Sequence, residues 1–283
     1  MPILSELHLY PIKSCAGIAL REATTTEAGL MHAGVGDRLW MLVDERGHFL
    51  TQREHPRMAL ITPSIVTGAL RVDAPEMAPL FIALDAHLER GAAQPEVVVW
   101  RDRLPALDCG EDIAAWFSRF LGARCRLVRF HPHARRLVNR ERSGGREIGT
   151  LFADGYPMLV ISQAALDELN VRLGAIGREP LPMNRFRPNL VIDGVEAHEE
   201  DHAALLDFGA VRIKPVKPCP RCPIPSIDQL TGVKGPDPLD VLRGYREGIG
   251  GINGIAFGMN AILEEGNGEV LRVGQELSLE LDF

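Results

Sequence analysis

The segment Lys217-Pro218-Cys219-Pro220-Arg221-Cys222-Pro223-Ile224-Pro225-Ser226-Ile227-Asp228 concentrates more reactive chemistry than any other stretch of the chain. It sets two thiols in a C-x-x-C spacing, with a guanidinium between them and prolines around both. A structural zinc site needs four ligands, usually from two paired motifs. The other cysteines, Cys15, Cys109 and Cys125, are isolated from one another, and no H-x-x-x-H lies nearby, so zinc is disfavoured. A thioredoxin-type pair places its first cysteine at a helix N-terminus, but Pro223 and Pro225 prevent a regular helix after the pair. What remains is a proline-braced loop presenting a thiolate beside the Arg221 cation. Thiolates are soft donors that suit sulfur-loving metals. The plainer alternative is two inert loop cysteines.

Two further segments could carry chemistry. From Arg124 to Arg146 lie Arg124, Arg126, Arg129, Arg135, Arg136, Arg140, Arg142 and Arg146, with His131 and His133. Such a run is either a solvated face or a positive rim that draws in an anionic ligand. The cluster Gly248-Ile249-Gly250-Gly251-Ile252-Asn253-Gly254 looks like a nucleotide loop but has asparagine where the third glycine of G-x-G-x-x-G would fall, and it leads into a strand pattern. It reads as a tight connection, or as the border of a substrate opening. No P-loop, nucleophile elbow or H-E-x-x-H is present.

The elements that must position these residues follow from periodicity. Short β-like runs fill the first hundred residues: Arg38–Val43, His48–Thr51, Met58–Ile61, Ala69–Val72, Leu80–Leu84 and Glu96–Trp100. Close spacing of this kind predicts a β-barrel or sandwich. The pattern Ile113, Trp116, Phe117, Phe120 predicts a helix over Asp112–Leu121, stopped by Gly122. The arginine-rich stretch follows as a domain junction and flexible loop. The second half mixes strands (Met158–Ile161, Asn189–Ile192, Val211–Lys214, Gly254–Leu263, Val270–Val273, Leu277–Leu281) with helices over Gln163–Leu173, capped by Ser162, and from Asp237-Pro238 to Tyr245.

Bulk properties narrow the classes. A chain of 283 residues accommodates two domains, and 46% hydrophobic with 24% charged residues is ordinary globular composition. The net charge of −7 argues against nucleic acid as a partner. The N-terminus MPILSELHLYPIKSC has no basic region ahead of an apolar run, and no stretch approaches ~18 apolar residues. The expectation is a cytoplasmic protein with reduced thiols and no membrane partner.

Taken together, several motifs resemble MOSC-domain proteins of the branch with an N-terminal β-barrel. That branch holds the mitochondrial amidoxime reducing component and bacterial enzymes that detoxify N-hydroxylated bases. The resemblance spans nearly the whole chain and rests on Tyr10-Pro11-Ile12-Lys13-Ser14-Cys15-Ala16-Gly17, Gly36-Asp37-Arg38-Leu39-Trp40, Asp154-Gly155-Tyr156-Pro157, Phe186-Arg187-Pro188-Asn189, the cysteine loop and Phe257-Gly258. Each motif alone is weak, but their order and spacing together are strong. The implied fold is α+β, mostly β: an N-terminal β-barrel domain over residues 1–122 and a MOSC β-barrel domain over 123–283 with a few peripheral helices.

The resemblance also implies a molybdenum cofactor, a pterin whose dithiolene holds the metal and whose phosphate the protein anchors. Cys222 matches the metal ligand, and Cys219 a nearby position that does not bind in the same way. Lys13, Ser14 and Arg38 match phosphate-binding residues; Asp154, Arg187 and Asn189 match positions that hold the pterin, and Arg221 is grouped with them. The chemistry agrees, since a phosphate favours a guanidinium fork, an ammonium and a hydroxyl. Asn189 and Asp154 can read the donors and acceptors of a pterin edge. Blander roles remain open: Arg38 and Arg187 as surface ion-pair partners worth ~0–1 kcal/mol, Asp154-Gly155 as a turn, and Lys13-Ser14 as a strand end.

The implied activity is reduction of N-hydroxylated or N-oxygenated compounds by oxygen-atom transfer to molybdenum. Cys222 would tune the metal, with Asp228 supporting it or moving a proton. Mitochondrial relatives carry an N-terminal targeting segment and some bacterial ones a C-terminal ferredoxin domain, neither of which is apparent here, so electrons are expected from a separate donor protein. Two other readings keep the same residues: a cofactor carrier without turnover, and persulfide transfer by Cys222. The last is weakened because no pyridoxal-phosphate domain is present to generate the sulfur.

Overall fold

Two strands are buried along their whole length, Trp40–Val43 and Met158–Ser162. A strand with no solvent face must lie between layers, and these two mark the cores of the two halves. The computed structural model describes residues 1–85 and 93–282. Its architecture is mostly β, with three α-helices among the described residues.

An eight-stranded sheet runs in the spatial order Ser278–Leu281, Ala203–Asp207, Arg212–Pro220, Ala256–Glu265, Met158–Ser162, Leu190–Asp193, Ile3–Leu9, Ile18–Leu20. All its pairings are antiparallel except Met158–Ser162 with Leu190–Asp193, which are parallel and joined by a helical crossover. Three smaller sheets build the remainder. One orders Glu96–Val99, Asp102–Asp108, Arg126–Phe130 and Trp40–Val43; another orders Val270–Arg272, Glu22–Thr26, Gly29–His32 and Val35–Gly36; the third holds Thr62–Val66, Ala69–Asp73 and Leu80–Ala83.

Chain order and sheet membership interleave. The first strand pairs with Leu190–Asp193 (Leu7 opposite Leu190), and Val270–Arg272 pairs with Glu22–Thr26. One hydrophobic cluster accordingly joins Leu4, Leu7 and Trp40 to Met158, Val160 and Leu190.

Helix α1 (Glu111–Leu121) buries Ala114, Phe117 and Phe120 and stops at Gly122, whose φ of 66° is left-handed. Helix α2 (Gln163–Ala175) begins where Ser162 accepts a hydrogen bond from the Ala165 amide at 3.2 Å. Helix α3 (Leu239–Arg246) follows Asp237, whose Oδ1 accepts from the Leu239 amide at 3.1 Å.

Three sequence expectations need correction. Met58–Ile61 is not a strand: Pro56, with φ preset near −65°, opens a 3-10 turn over Pro56–Leu60 that buries Met58 and Ala59. His48–Thr51 makes only isolated bridges, at Phe49 and His48. Cys219 is not in a free loop, because the strand Arg212–Pro220 runs through it and pairs with Ala256–Glu265.

The arginine-rich stretch is chiefly ion-paired. Arg124 meets Glu45, Arg126 meets Asp108 and Glu111, Arg135 and Arg140 both meet Glu147, and Arg146 meets Glu264. Arg136 is the exception in kind. It is buried, pairs with Asp102 and donates to the carbonyls of Leu151, Ala153 and Asp154, so it braces the turn that carries Asp154.

The glycine cluster is a 3-10 turn before the strand Ala256–Glu265. At Gly250, with φ of 59°, a Cβ would lie 2.6 Å from Pro218 Cγ, so this turn packs on the cysteine-bearing strand.

Candidate functional site

Lys13, Ser14 and Arg38 come from the first forty residues, and Asp154, Arg187, Asn189, Cys219, Arg221 and Cys222 from the second half. All of them line one cleft that opens to solvent. Asp228 is not brought there. Its carboxylate pairs with Arg185 at 2.7 Å and accepts from the Leu230 and Thr231 amides and the Thr231 hydroxyl. Burial pushes this carboxyl up, but those hydrogen bonds and Arg185 outweigh it and hold Asp228 below its ordinary value. An ionised, fully engaged carboxylate outside the cleft is a turn-former, not a proton donor.

Backbone strain clusters at the cleft. Seven non-glycine residues among those described have positive φ, and four of them line it: Ser14 (66°), Arg38 (51°), Trp100 (57°) and Arg187 (58°). A left-handed non-glycine residue costs roughly 1–2 kcal/mol and persists only where surrounding contacts over-determine it. Here the contacts are specific. The amides of Lys13 and Arg38 bind the carbonyls of Trp40 and Tyr10, at 2.8 and 2.7 Å. The Ser14 carbonyl accepts from Gln52 at 2.8 Å.

A buried network lies behind Arg38. Asp37, 1% exposed, accepts from the Tyr10 amide at 2.9 Å and the Asn189 side-chain amide at 3.0 Å, and pairs with Arg38. Asn189 Oδ1 accepts from Arg38 at 3.0 Å and from the Leu159 amide at 3.2 Å, while its Nδ2 also reaches the His8 carbonyl at 3.2 Å. Every donor and acceptor of the Asn189 amide is thereby committed. It holds Arg38 in place and has nothing left with which to read a pterin edge.

The Tyr10 ring sits between two guanidiniums, 4.3 Å from Arg38 and 4.4 Å from Arg187. Burial pushes its phenol up to about 12, so it is a neutral spacer. Arg187 itself is 9% exposed and makes no hydrogen bond or ion pair with any described residue.

At the outer edge, Lys13 Nζ donates to the Phe152 carbonyl at 2.9 Å and to Asp154 Oδ1 at 2.5 Å. The same Asp154 oxygen accepts from the Trp100 indole at 3.0 Å. The Asp154 side chain is largely exposed at the cleft mouth, and Lys13, followed by Trp100 and Arg38, holds its carboxyl below the usual carboxylate range.

The sulfur end is formed by the strand carrying Cys219 and by the residues after it. Arg221 Nη1 lies 3.4 Å from Cys219 Sγ, its Nη2 donates to the Phe186 carbonyl at 2.8 Å, and its Nε is buried without a protein partner. Burial raises the Cys219 thiol despite Arg221, and it raises Cys15 and Cys109 to about 12. Cys15, Cys109 and Cys125 are buried away from the cleft, which leaves Cys219 and Cys222 as its thiols.

Five cations line the cleft (Lys13, Arg38, Arg53, Arg187, Arg221) against one carboxylate, Asp154, in a chain of net charge −7. Such local reversal draws anions in. Sequence reasoning did not single out Tyr10 and Asp37 behind the cleft, or Phe49, Arg53 and Trp100 on its wall, and it named Arg136 only within the arginine run. Tyr10 and Asp37 do stand inside motifs that were noted. Nothing in the order of residues marks Arg53 or Trp100.

A mostly-β chain whose two halves jointly build a basic, thiol-bearing cleft is the class defined by this fold and site. Comparison with known proteins gives it a family. Residues 1–124 match the MOSC N-terminal beta barrel domain and residues 148–278 match the MOSC domain. Mitochondrial amidoxime reducing component 2 of Rattus norvegicus is 34% identical over 249 residues, covering 86% of this chain and 72% of the relative. Mitochondrial amidoxime-reducing component 1 of Mus musculus is 34% identical over 247 residues, covering 86% and 71%. Molybdenum cofactor sulfurase of Homo sapiens is 30% identical over 259 residues, 87% of this chain but 29% of the relative. The chain belongs to the MOSC-domain family, in the branch that carries the MOSC N-terminal β-barrel. No helix among the described residues is long and apolar enough to cross a membrane.

Proposed function

We propose that this protein is a molybdenum-cofactor-dependent oxidoreductase that reduces N-hydroxylated and other N-oxygenated small molecules, supplied with electrons by a separate donor protein. The observation that carries the reading is the cleft itself, with five cations and two cysteines on its wall. The similarity to amidoxime reducing components supports the reaction class.

Whether the residues fit a phosphate-bearing pterin dithiolene is tested by their unspent bonding capacity. Arg187 offers a buried guanidinium with no acceptor among the described residues, and Arg221 Nε is buried and unpartnered. A buried cation without an acceptor costs several kcal/mol unless a ligand completes it, so Arg187 asks for an anion, and Arg221, though held by the Phe186 carbonyl, keeps one donor free for the same ligand. The residues fit. Lys13, Ser14, Arg38 and Arg187 would hold the phosphate, Asp154 and Arg221 would contact the remainder, and Cys222 would bind the metal as thiolate.

When bound, the cofactor supplies two-electron removal of oxygen from nitrogen. The chain does the rest. Asp37 and Asn189 fix the Arg38 fork before the anion arrives, which lowers the ordering cost of binding. Tyr10 separates two guanidiniums that would otherwise repel. Arg136 fixes the turn that aims Asp154 at Lys13.

The test is molybdenum analysis of protein made in a cofactor-competent host, beside Cys222→Ala, followed by reduction of an N-hydroxylated base with a chemical reductant. Near-stoichiometric metal lost in the variant, together with turnover in the wild type, is expected. No metal in the wild type with cofactor supply verified refutes the reading.

A further inference from the structure

Trp100 occupies a position that the fold alone disfavours twice. Its φ of 57° lies where only glycine, asparagine and aspartate sit easily. It is also 47% exposed, so the large ring recovers little from burial. It stands between the paired strands Glu96–Val99 and Asp102–Asp108, a turn that asparagine or glycine would make with less strain.

The ring contacts found for it all belong to the cleft. The indole N–H donates to Asp154 at 3.0 Å, the ring packs 5.0 Å from Phe49, and Arg53 lies over it at 5.3 Å. Arg53 has no carboxylate partner among the described residues, so its charge is available to the cleft. These contacts fix the indole orientation while leaving a large part of it bare. A half-exposed aromatic ring of fixed orientation beside a cation is a surface for stacking a flat, conjugated molecule.

We infer that Trp100 is a specificity-determining wall of this cleft, taking the flat conjugated face of the substrate and favouring aryl over small alkyl N-hydroxylated compounds. The inference rests on the reductase reading for its substrate class. N-hydroxylated amidines are planar and delocalised at the reacting group, and an attached aryl ring extends that plane across the indole. A small alkyl congener presents the same N–O group with little to stack.

The decisive variant is Trp100→Asn, which suits the left-handed backbone, with Trp100→Phe as the conservative partner. On molybdenum-loaded protein, benzamidoxime kcat/KM should fall about 10-fold through KM in Trp100→Asn, while acetamidoxime stays within about twofold of wild type. Trp100→Phe should retain most of the preference. Tm should be unchanged or higher in Trp100→Asn, and molybdenum content unchanged. Equal losses on both substrates, lost metal, or a lowered Tm would assign Trp100 to the cofactor or the fold and overturn the inference.

A binding readout separates this inference from the reductase reading. Trp40 is buried and Trp116 hydrogen-bonds the Ala78 carbonyl beside helix α1, so Trp100 is the tryptophan of the cleft. Benzamidoxime should change wild-type tryptophan fluorescence, and that change should vanish in Trp100→Asn. If neither amidoxime is turned over, the reductase reading fails while this titration still decides the wall. No change in the wild type overturns the wall even where turnover is present.

Discussion

Replacing Asp37 by asparagine tests the claim that the cation site is pre-assembled. Asp37 is 1% exposed and is the acidic partner of Arg38, whose side chain is 14% exposed. Breaking a buried pair by removing one charge costs ~3–5 kcal/mol. Arg38 keeps the 3.0 Å bond to Asn189 and the Tyr10 ring at 4.3 Å, so the lower end applies. A loss of ~3 kcal/mol corresponds to roughly a hundredfold fall in the folded-to-unfolded ratio. The assay is denaturant unfolding of metal-free Asp37→Asn and wild type, with and without added pyrophosphate. An anion replaces the lost counter-charge only in the folded state, so pyrophosphate should stabilise the variant more than the wild type. A loss below ~1 kcal/mol, or equal stabilisation of both proteins by the anion, would refute the pre-assembled site.

Arg187→Gln should weaken cofactor retention roughly 10- to 100-fold, since hydrogen bonds to charged groups contribute ~1.5–3 kcal/mol, and Arg187→Lys should recover part of it. Because Arg187 is buried without a protein acceptor, metal-free Arg187→Gln should be at least as stable as wild type in unfolding experiments, and a loss above ~1 kcal/mol would mean the guanidinium serves the fold. Glu200 gives a pH signature away from the cleft. Burial pushes its carboxyl from 4.5 up to about 7, and one of its oxygens has no partner. The folded state therefore holds a proton that the unfolded state has released between those values. This stabilisation is full below about 4.5 and is lost as pH rises through about 7, an effect of order ~3 kcal/mol. Unfolding free energies across that window should slope downward with pH, and Glu200→Gln should flatten the slope; an unchanged slope contradicts the assignment.

Much of the fold was legible because burial leaves periodic traces. The apolar spacing of Ile113, Trp116, Phe117 and Phe120, the Ser162 cap and the all-apolar run Met158–Ile161 each state a local preference that packing reinforces. Met58–Ile61 misled for the opposite reason. Four apolar residues fit a strand or a buried turn equally well by pattern, and Pro56 decided the matter from outside the run. The cleft residues were legible by type and motif, but their division of labour was not. Asn189 looks like a ligand reader until its amide is seen to be spent on four groups, and Asp228 looks reactive until its carboxylate is found engaged in its own turn.

The same physics explains why the site lies where the chain interleaves. Leu7 pairs with Leu190, immediately beyond Asn189, and Lys13 and Ser14 leave that first strand toward the cleft. The register that places Leu7 also places the His8 carbonyl on Asn189, and through it Asp37 and Arg38. A one-residue slip would send every side chain of the strand to its opposite face and dismantle both the core and the cation set. Core packing, at Leu4, Leu7 and Leu190, therefore holds the strained backbone of Ser14, Arg38 and Arg187 in register. The strain is tolerable because the strands that would have to move to relieve it are anchored by the shared core.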